Sequence, residues 1–496
     1  MTKTLEELQF INSFAKLPDV FYVKLPPTAL NNNRLSNLNA KAAALIDLSC
    51  DQLQREEFLT GFTSESFLAN MEPLASCYAG HQFGQLVPRL GDGRALLLGE
   101  IRNQKGERWE LQLKGSGLTP YSRQGDGRAV LRSTIREYLG SEAMAGLGIP
   151  TTRALCIFSS EEEVYRESIE TGAMLIRMAP SHVRFGHFEY YFYQKDYHHL
   201  RLLADYSISH DYPWLVDATE PYLAWFEEIT GRTATLIAQW QAAGFAHGVM
   251  NTDNMSVLGL TIDYGPYGFL DQYEPGFICN HSDHSGRYAF DQQPQVGLFN
   301  LTCFAQAILP LLSSEPETAI LKAQGVLQTY QVQYEQAFQK RMRAKLGFRA
   351  QHHEDETLLY KLLQLLAENR VDYSIFFRSL SQFKQAEDVS VQTIRDQFLD
   401  REAFDVWARE YQQRLALEAT SDAARATRMN QLNPKFILRN YLAENAIRKA
   451  CDDKDYSEID TLLHLLQQPF DEHPEHAHYA DLPPDWAQKI SVSCSS

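Results

Sequence analysis

The chain has 496 residues, of which 44% are hydrophobic and 22% are charged, a composition typical of soluble globular proteins. Lys and Arg total 46 against 63 Asp and Glu, and the net charge of −17 argues against a nucleic-acid-binding protein. Seven scattered Cys residues without a CxxC pair, and no uninterrupted apolar run of about 18 residues, favour a cytoplasmic protein without a membrane span.

The first clear strand signals follow an N-terminal stretch of mixed character. Residues 1–90 are expected to form short helices and loops that pack on the rest of the chain, with the clearest helix over 38–49. Over 95–114, two strand-like runs flank a turn at Gly106 and predict a β-hairpin. Because side chains alternate along a strand, Lys114 is expected on the face opposite to the apolar residues of the second run.

A helix and two more strands are predicted after the hairpin. An apolar stripe indicates a helix from about 128 to 146, where glycines end it. Residues 151–159 and 172–180 are strand candidates. Together with the hairpin, these elements make 91–196 a sheet-rich N-terminal lobe.

Helical patterns dominate the remainder of the chain. A helix is expected over about 233–242, just before a polar loop. Residues 197–310 would form a helical C-terminal lobe that carries this loop, and 311–496 a helical extension ending in a mobile tail. The predicted fold class is α+β, a two-lobed, protein-kinase-like architecture with a helical C-terminal extension and a nucleotide between the lobes.

The loop over 247–266, HGVMNTDNMSVLGLTIDYGP, looks like a kinase catalytic loop with one residue moved. His247 and Asn254 keep the kinase spacing, but Val249 stands where a kinase has its catalytic Asp. An acid occurs instead at Asp253. In an extended loop neighbouring side chains point to opposite sides, so Asp253 would face an acceptor hydroxyl and act as general base. The alternative is a turn in which Asp253 caps backbone amides.

Asn254 and Asp263 are the candidate metal ligands. They flank eight residues that could form a tight hairpin, which would bring an amide oxygen and a carboxylate together around Mg²⁺. Asp263 also begins the triplet Asp-Tyr-Gly, which differs from the kinase Asp-Phe-Gly triplet by one aromatic residue. The alternative is an ordinary β-turn bracketed by Asp and Asn, which are common turn residues.

Lys114 and Glu137 are expected to form an ion pair. In a kinase, a strand Lys holds the phosphates and is positioned by a Glu on the following helix. Glu137 lies in the first long helix after Lys114. In the alternative, Glu137 only solvates that helix and pairs with Arg136 or Arg132 on its surface.

Two short Gly-rich loops and two arginines are candidates for phosphate contacts. Glycine lets backbone amides approach a phosphate closely, and a guanidinium group can bind it with paired hydrogen bonds. The candidates are Gly91, Gly93, Arg94, Asp126, Gly127, Arg177 and Arg184. Neither a full GxGxxG loop nor a Walker A motif occurs, and the arginines could be ordinary strand-edge and loop residues.

These residues, and the long strings around them, resemble the selenoprotein O family of kinase-like protein adenylyltransferases. The resemblance spans most of the chain and includes GDGRALLLGE, LQLKGSGLTPYSRQGDGR and the loop over 247–266. It implies transfer of AMP from ATP to Ser, Thr or Tyr hydroxyls of proteins, with the chain itself as one candidate acceptor. It also implies that ATP binds in a flipped orientation, with Mg²⁺ or Mn²⁺, and that pyrophosphate is released.

The resemblance assigns a role to each candidate. Lys114 and Glu137 form the ion pair, and Asp253 is the base. Asn254 and Asp263 bind the metal, and Asp263 also contacts ATP. The remaining ATP contacts are Gly91, Gly93, Arg94, Asp126, Gly127, Arg177 and Arg184.

Two other functions remain open on the sequence. One is a kinase-like phosphotransferase that uses the γ-phosphate, and the other is a pseudokinase that binds nucleotide without chemistry, suggested by Val249. Cys494 occupies the position near the C-terminus where eukaryotic members of the family carry selenocysteine. We expect that it could pair with a cysteine near the site, such as Cys279, and provide redox control.

Overall fold

The computed structural model describes residues 2–385 and 388–492, with the backbone alone at 388–390. Strands are concentrated in the first 180 residues and helices in the remainder, so the fold is mixed α and β. The strands are β1 Phe10–Ile11, β2 Tyr22–Lys24, β3 Arg34–Leu38, β4 Leu74–Ser76, β5 Gly80–Gln82, β6 Gln85–Val87, β7 Ala95–Arg102, β8 Arg108–Lys114, β9 Ala129–Val130, β10 Arg153–Tyr165, β11 Ile169–Ala179, β12 Phe245–Ala246 and β13 Gly268–Phe269.

Among the described residues, three α-helices lie before residue 180 and the others make up most of the chain after it. They are α1 Ala40–Leu45, α2 Glu56–Thr63, α3 Leu131–Gly146, α4 Phe185–Tyr193, α5 Tyr197–Asp211, α6 Pro221–Ala243, α7 Gln293–Leu312, α8 Pro316–Lys345, α9 Asp355–Glu368, α10 Tyr373–Leu380, α11 Asp388–Arg395, α12 Arg401–Leu415, α13 Asp422–Asn430, α14 Asn440–Arg448 and α15 Ser457–Leu466. A short 3₁₀ turn, Thr252–Asn254, lies in the predicted catalytic loop.

The main sheet is antiparallel, in the order β2-β4-β7-β8-β11-β10-β3, with β1 added to β7 and β9 to β11. The predicted hairpin is confirmed as β7 and β8, and the two predicted strands as β10 and β11. The expectation of only short helices and loops in the first ninety residues was incomplete, because β1 to β4 all join this sheet. These strands have two to five residues, too few to carry a clear alternating pattern.

Both faces of the sheet are buried, but they differ in chemistry. Leu111 and Leu113 of β8 belong to an apolar core on one face. Glu110, Gln112 and Lys114 alternate with them and are also buried, on the opposite face. Lys114 therefore points as predicted, toward α3 and the polar interior between the sheet and the helical part of the chain.

Several predicted helices exist with different bounds. The helix expected over 128–146 begins at Leu131, because the two preceding residues pair with β11 as strand β9. The helix expected over 233–242 is the end of the much longer α6, which Gly244 terminates with a left-handed conformation at φ +70°. The helix expected over 38–49 is limited to α1, where the Asn39 side chain caps the backbone amides of Lys41 and Ala42.

One helix in the described part of the chain, Phe290–Leu312, is long and apolar enough to cross a membrane. Of its most apolar window, 61% is buried within the fold, and α7 packs against α4, α6 and α8. These contacts are those of a helix that packs in the core of the fold. The C-terminal helices α14 and α15 pack back on α3, which ties the end of the chain to the sheet-rich part.

Candidate functional site

A cavity of about 530 Å³ lies between the sheet, the Gly-rich loops and the loop after α6. Of the twelve residues predicted for the site, eleven line this cavity, and the exception is Glu137, which lies behind Lys114. The lining residues from the prediction are Gly91, Gly93, Arg94, Lys114, Asp126, Gly127, Arg177, Arg184, Asp253, Asn254 and Asp263. The folded chain therefore brings together residues that lie up to 172 positions apart in the sequence (91 to 263).

Four charged side chains form a cluster at one part of the site. Lys114 forms an ion pair with Glu137 and lies 2.9 Å from an oxygen of Asp263. Arg177 contacts the same two carboxylates, at 3.1 Å from Glu137 and 3.4 Å from Asp263, and donates from Nε to Gln112. Two cations and two carboxylates thus hold β8, β11, α3 and the Asp-Tyr-Gly segment in one arrangement.

Glu137 does not pair with Arg136 or Arg132 on the helix surface, because both arginines have other partners. Arg136 donates to the carbonyl of Tyr267 at 2.7 Å, and Arg132 pairs with Glu170. Glu137 is itself only 2% exposed, so it is not a solvating residue on the helix surface.

Asp263 is held as a carboxylate. Burial alone would raise the pKa of its side chain, but Lys114, Arg177 and Arg184 hold that pKa well below its usual range. Its backbone adopts the left-handed region at φ +64°, an uncommon conformation for a residue other than glycine. Such conformations persist where the surrounding contacts enforce them, and here the two cations fix the side chain.

The hairpin expected between Asn254 and Asp263 was wrong. The segment turns at Gly259, but its two flanks pair with other parts of the chain rather than with each other. Ser256 forms a bridge with Arg184, and Thr261 with Thr151. These long-range pairings bring both ends of the segment to the cavity.

The extended loop expected around Asp253 was also wrong, because Thr252–Asn254 is a 3₁₀ turn. Asn254 donates its side-chain amide to the carbonyl of Val249 at 3.0 Å. Asp253 caps no backbone amide of this turn and instead accepts a hydrogen bond from the Gln82 side chain at 3.0 Å. Both side chains nevertheless line the cavity, so the two proposed roles remain compatible with the fold.

Asp253 has the electrostatic environment of a proton acceptor. Burial raises the pKa of its carboxyl to about 6, against the lowering effects of the Gln82 hydrogen bond and the charge of Arg184. Its Oδ1 atom is buried and has no hydrogen-bond partner within the described part of the chain. A carboxylate whose pKa is raised toward 6 can accept a proton near neutral pH.

Backbone geometry explains the glycines of the two loops. Gly91 has φ +140°, and a Cβ atom there would lie 2.5 Å from the ring of Tyr121. Gly127 has φ +71°, and a Cβ atom there would overlap the carbonyl of Gly117. Both loops can therefore reach the cavity only with glycine at these positions.

Comparisons with known proteins identify the family of the chain. The family model described as "Protein adenylyltransferase SelO" matches residues 4–467. The chain belongs to the SelO family. A protein of Thioalkalivibrio sulfidiphilus named "Protein nucleotidyltransferase YdiU" is 55% identical over 492 residues, covering 99% of both chains. A protein of Myxococcus xanthus with the same name is 53% identical over 493 residues, covering 99% of this chain and all of its own.

One predicted residue of this SelO-family chain has a different local partner from the one expected. Asp126 does not lie free in the cavity, because its carboxylate pairs with Arg166 at 2.7 Å and accepts from the Arg128 amide. Arg166 follows the exposed end of β10 and also lines the cavity. Sequence reasoning missed it because no motif surrounds it; only its place in the β10–β11 turn could have suggested it.

The cavity of this chain is cationic, although the SelO-family chain as a whole is strongly acidic. Its lining contains seven cationic side chains and four carboxylates, in a protein with net charge −17. The cations are Arg94, Lys114, Arg123, Arg128, Arg166, Arg177 and Arg184, and the carboxylates are Asp92, Asp126, Asp253 and Asp263. A local excess of positive charge within an acidic protein is suited to a small polyanion rather than to a nucleic acid.

Proposed function

We propose that the chain transfers AMP from ATP to Ser, Thr or Tyr hydroxyls of proteins, and that it does so in the cytoplasm on a protein-kinase-like fold. Membership of a family described as protein adenylyltransferases supports the reaction, and the names of the relatives support nucleotidyl transfer to protein. The kinase-like fold is supported by the order of four features around one cavity: a strand Lys, a helix Glu, the catalytic loop and the Asp-Tyr-Gly triplet.

The proposed lobes follow the distribution of strands and helices. Residues 91–196 are the sheet-rich lobe, 197–310 the helical lobe with the catalytic loop, and 311–496 the helical extension. Residues 1–90 are an N-terminal extension, and the entry of its strands into the sheet ties it firmly to the first lobe.

The separation of charges within the cavity carries the proposal. Lys114 and Arg177 lie together beside Asp263, whereas the side chain of Asp253 is hydrogen-bonded to an uncharged amide. A triphosphate that enters tail-first would place its terminal phosphates at these cations. Its α-phosphorus would then lie near Asp253, in the orientation opposite to that in kinases. Arg184 contacts the backbone of Asp253 and is placed to bridge the two regions.

The chemical step needs one nucleophile and one proton acceptor. The oxygen of the protein hydroxyl attacks the α-phosphorus, and a new phosphorus–oxygen bond forms as the bond to the β-phosphate bridging oxygen breaks. The hydroxyl proton passes to Asp253, and pyrophosphate leaves with the electron pair of the broken bond. Lys114, Arg177 and Arg184 offset the negative charge on the leaving group.

Asn254 and Asp263 fit a divalent cation. The Asn254 amide nitrogen is committed to Val249, which leaves the amide oxygen as the available ligand atom. Asp263 is ionised, and its two hydrogen-bonded contacts with cations use Oδ1 alone. One carboxylate and one amide oxygen, with phosphate oxygens and water, suit Mg²⁺ or Mn²⁺, which would neutralise phosphate charge.

The position of the label distinguishes the proposal from its two rivals. The chain is incubated with an acceptor protein and ATP labelled at either the α- or the γ-phosphate, and intact mass is measured in parallel to detect self-modification. We expect α-label on protein and a mass increase of one AMP group. A γ-label on the acceptor would favour a kinase-like phosphotransferase. No label in the wild type, or equal labelling in Asp263→Ala, would count against transfer at this site.

A further inference from the structure

The β5–β6 hairpin, which precedes the first Gly-rich loop, lies directly against the catalytic loop. Its strands pair from Gly80 with Val87 to Gln82 with Gln85, and the turn residues Phe83 and Gly84 both have positive φ. Positive φ at two central residues matches the two-residue turn typical of hairpins, but it is unfavourable for Phe. The hairpin was not among the elements predicted from the sequence.

Contacts outside the hairpin hold this strained turn. The Phe83 amide donates to the hydroxyl of Tyr288 at 2.8 Å, and the two rings lie 5.1 Å apart. The same hydroxyl donates to the side chain of Asn251 at 2.6 Å. The tip of the hairpin is therefore fixed to Asn251, which directly precedes the 3₁₀ turn Thr252–Asn254.

A second set of contacts fixes Thr252, the first residue of the 3₁₀ turn. The His81 amide donates to the hydroxyl of Thr252 at 2.7 Å, and this hydroxyl donates to Glu189 at 2.6 Å. The other oxygen of Glu189 lies 2.8 Å from Nδ1 of His81. The sulfur of Cys303 lies close to this group, but both oxygens of Glu189 already have hydrogen-bond partners. We therefore interpret His81 and Glu189 as a hydrogen-bond network that fixes Thr252 rather than as metal ligands.

The third contact reaches Asp253 itself. Gln82 donates its side-chain amide to Oδ2 at 3.0 Å, which leaves the buried Oδ1 as the oxygen without a partner. Gly80 lies against Oδ1, and a Cβ atom at that position would overlap it. Three residues of one hairpin therefore hydrogen-bond to the three consecutive residues 251–253 of the catalytic loop, and the contact with Asp253 sets the orientation of its carboxylate.

We propose that Gln82 is the positioning residue of the reaction, and that the His81–Glu189–Thr252 network supports it. By holding Oδ2, Gln82 fixes the rotation of the Asp253 carboxylate at the cavity, and the missing side chain at Gly80 leaves room for the buried Oδ1 beside it. This role rests on the proposed function, since it assumes that Asp253 accepts the proton. It concerns the turnover step rather than the binding of ATP, because Gln82 donates its hydrogen bond to Asp253, whereas Lys114 and Arg177 bond to Glu137, Gln112 and Asp263.

Gln82→Leu tests the role, because it keeps the side-chain volume and removes the amide donor. A charge-assisted hydrogen bond is lost, so kcat for AMP transfer is expected to fall by roughly 10- to 100-fold. The KM for ATP, the dissociation constant of an ATP analogue and the melting temperature should stay close to those of the wild type. Gln85→Leu is the matched control, because Gln85 is the exposed cross-strand neighbour of Gln82 and does not line the cavity.

A second pair of variants separates positioning from mere support of the fold. Thr252→Val removes the hydroxyl that links His81 to Glu189, whereas Thr252→Ser retains it. We expect Thr252→Val to lower kcat with little change in KM, and Thr252→Ser to restore most of the wild-type rate. A loss of kcat in Thr252→Val that Thr252→Ser restores would show that the hydrogen bond, rather than the side-chain volume, supports turnover.

The outcomes distinguish this inference from the proposed function. If the wild type transfers AMP and Gln82→Leu has unchanged kcat, the positioning role is overturned and the proposed function stands. If Gln82→Leu loses nucleotide affinity and melting temperature together with kcat, Gln82 is a structural residue and the positioning role is again overturned. If the wild type transfers no AMP at all, the proposed function fails and the positioning role fails with it.

Discussion

Arg184 donates a hydrogen bond from Nη1 to the main-chain carbonyl of Asp253 at 2.8 Å, and its guanidinium carbon lies 5.1 Å from the ring centre of Tyr78. The Nε of Arg184 is buried and has no partner among the residues described. A buried guanidinium with an unused donor costs free energy that a bound anion would offset. The cation proposed to bind phosphate therefore also fixes the backbone of the proposed base.

The first prediction concerns Asp253. Asp253→Asn preserves the shape of the side chain and the acceptor for Gln82, but removes the atom that takes the proton. We expect AMP transfer to fall by about 10²- to 10⁴-fold, the usual contribution of general base catalysis, with little change in nucleotide affinity. Rates of label incorporation and calorimetric titration with an ATP analogue measure the two effects. Wild-type turnover in Asp253→Asn would remove the base assignment.

The same carboxylate makes the stability of the chain depend on pH. Burial raises the pKa of Asp253 from its ordinary value of 3.8 to about 6, so ionisation destabilises the folded state as pH rises through this range. In metal-free buffer at pH 8, Asp253→Asn should be more stable than the wild type by about 3 kcal/mol. The difference should vanish near pH 4. Denaturant unfolding at several pH values measures it.

Asp126→Asn is the control variant, because this substitution should lower the stability of the folded state at pH 8 rather than raise it. Burial would raise the pKa of Asp126, but Arg166 and the Arg128 amide hold it below its ordinary value. The Asp126 carboxylate is 43% exposed, so its loss at pH 8 should cost at most about 1 kcal/mol. A stabilising effect of Asp126→Asn, or none from Asp253→Asn, would contradict the electrostatic description of the site.

The predictable parts of the site were those encoded in local patterns. Alternation along β8 placed Lys114 on the correct face, and the kinase-like order of a strand Lys followed by a helix Glu identified Glu137 as its partner. The positive-φ glycines of the phosphate loops were recognisable from composition. In each case a few neighbouring residues determine both the conformation and the direction of the side chain.

The parts that could not be predicted depend on long-range contacts. The 255–262 segment has the length of a hairpin, but its flanks pair with Arg184 and with Thr151. The partner of Asp126 is forty residues away in sequence, at Arg166. Hairpin β5–β6 is too short to carry a periodic signal, and its turn contains Phe where glycine or Asn is usual. Only the folded chain reveals these relationships.

Gly127 offers a test of the phosphate loop. A Cβ atom in Gly127→Ala would overlap the Gly117 carbonyl, and φ +71° is unfavourable for Ala, so the loop must shift. We expect ATP affinity to fall at least tenfold, as measured by calorimetry. Gly106→Ala is the matched control, because Gly106 also has positive φ, at +81°, but has no atom within 4 Å of the added Cβ. Equal ATP affinity in both variants would contradict the loop's role.

The buried cations Lys114 and Arg177 should determine the affinity for the nucleotide. Lys114→Met and Arg177→Met each remove one positive charge near Asp263 and should weaken binding of the ATP analogue by tenfold or more. Each change also leaves a buried carboxylate less compensated, so a loss of several kcal/mol in stability is expected. Affinity is therefore measured at a temperature where the variants are folded. Unaltered affinity in both would count against the phosphate-binding assignment.

The redox prediction for Cys494 concerns a residue outside those described. The nearest described backbone is informative, since the carbonyl of Val492 accepts a hydrogen bond from the His281 amide at 2.8 Å. His281 lies two residues from Cys279, the proposed pairing partner. We expect AMP transfer by oxidised protein to change when a reductant is added, and Cys494→Ser to abolish that response. Identical activity with and without reductant would reject redox control.

The orientation of the bound nucleotide is the central claim, and a crystal structure with a non-hydrolysable ATP analogue and Mg²⁺ tests it most directly. The account predicts that the β- and γ-phosphates lie at Lys114 and Arg177, and that the α-phosphorus is the one nearest to Asp253. A terminal phosphate at the cavity entrance beside Asp253, with the α-phosphate at Lys114, would contradict AMP transfer and favour kinase chemistry.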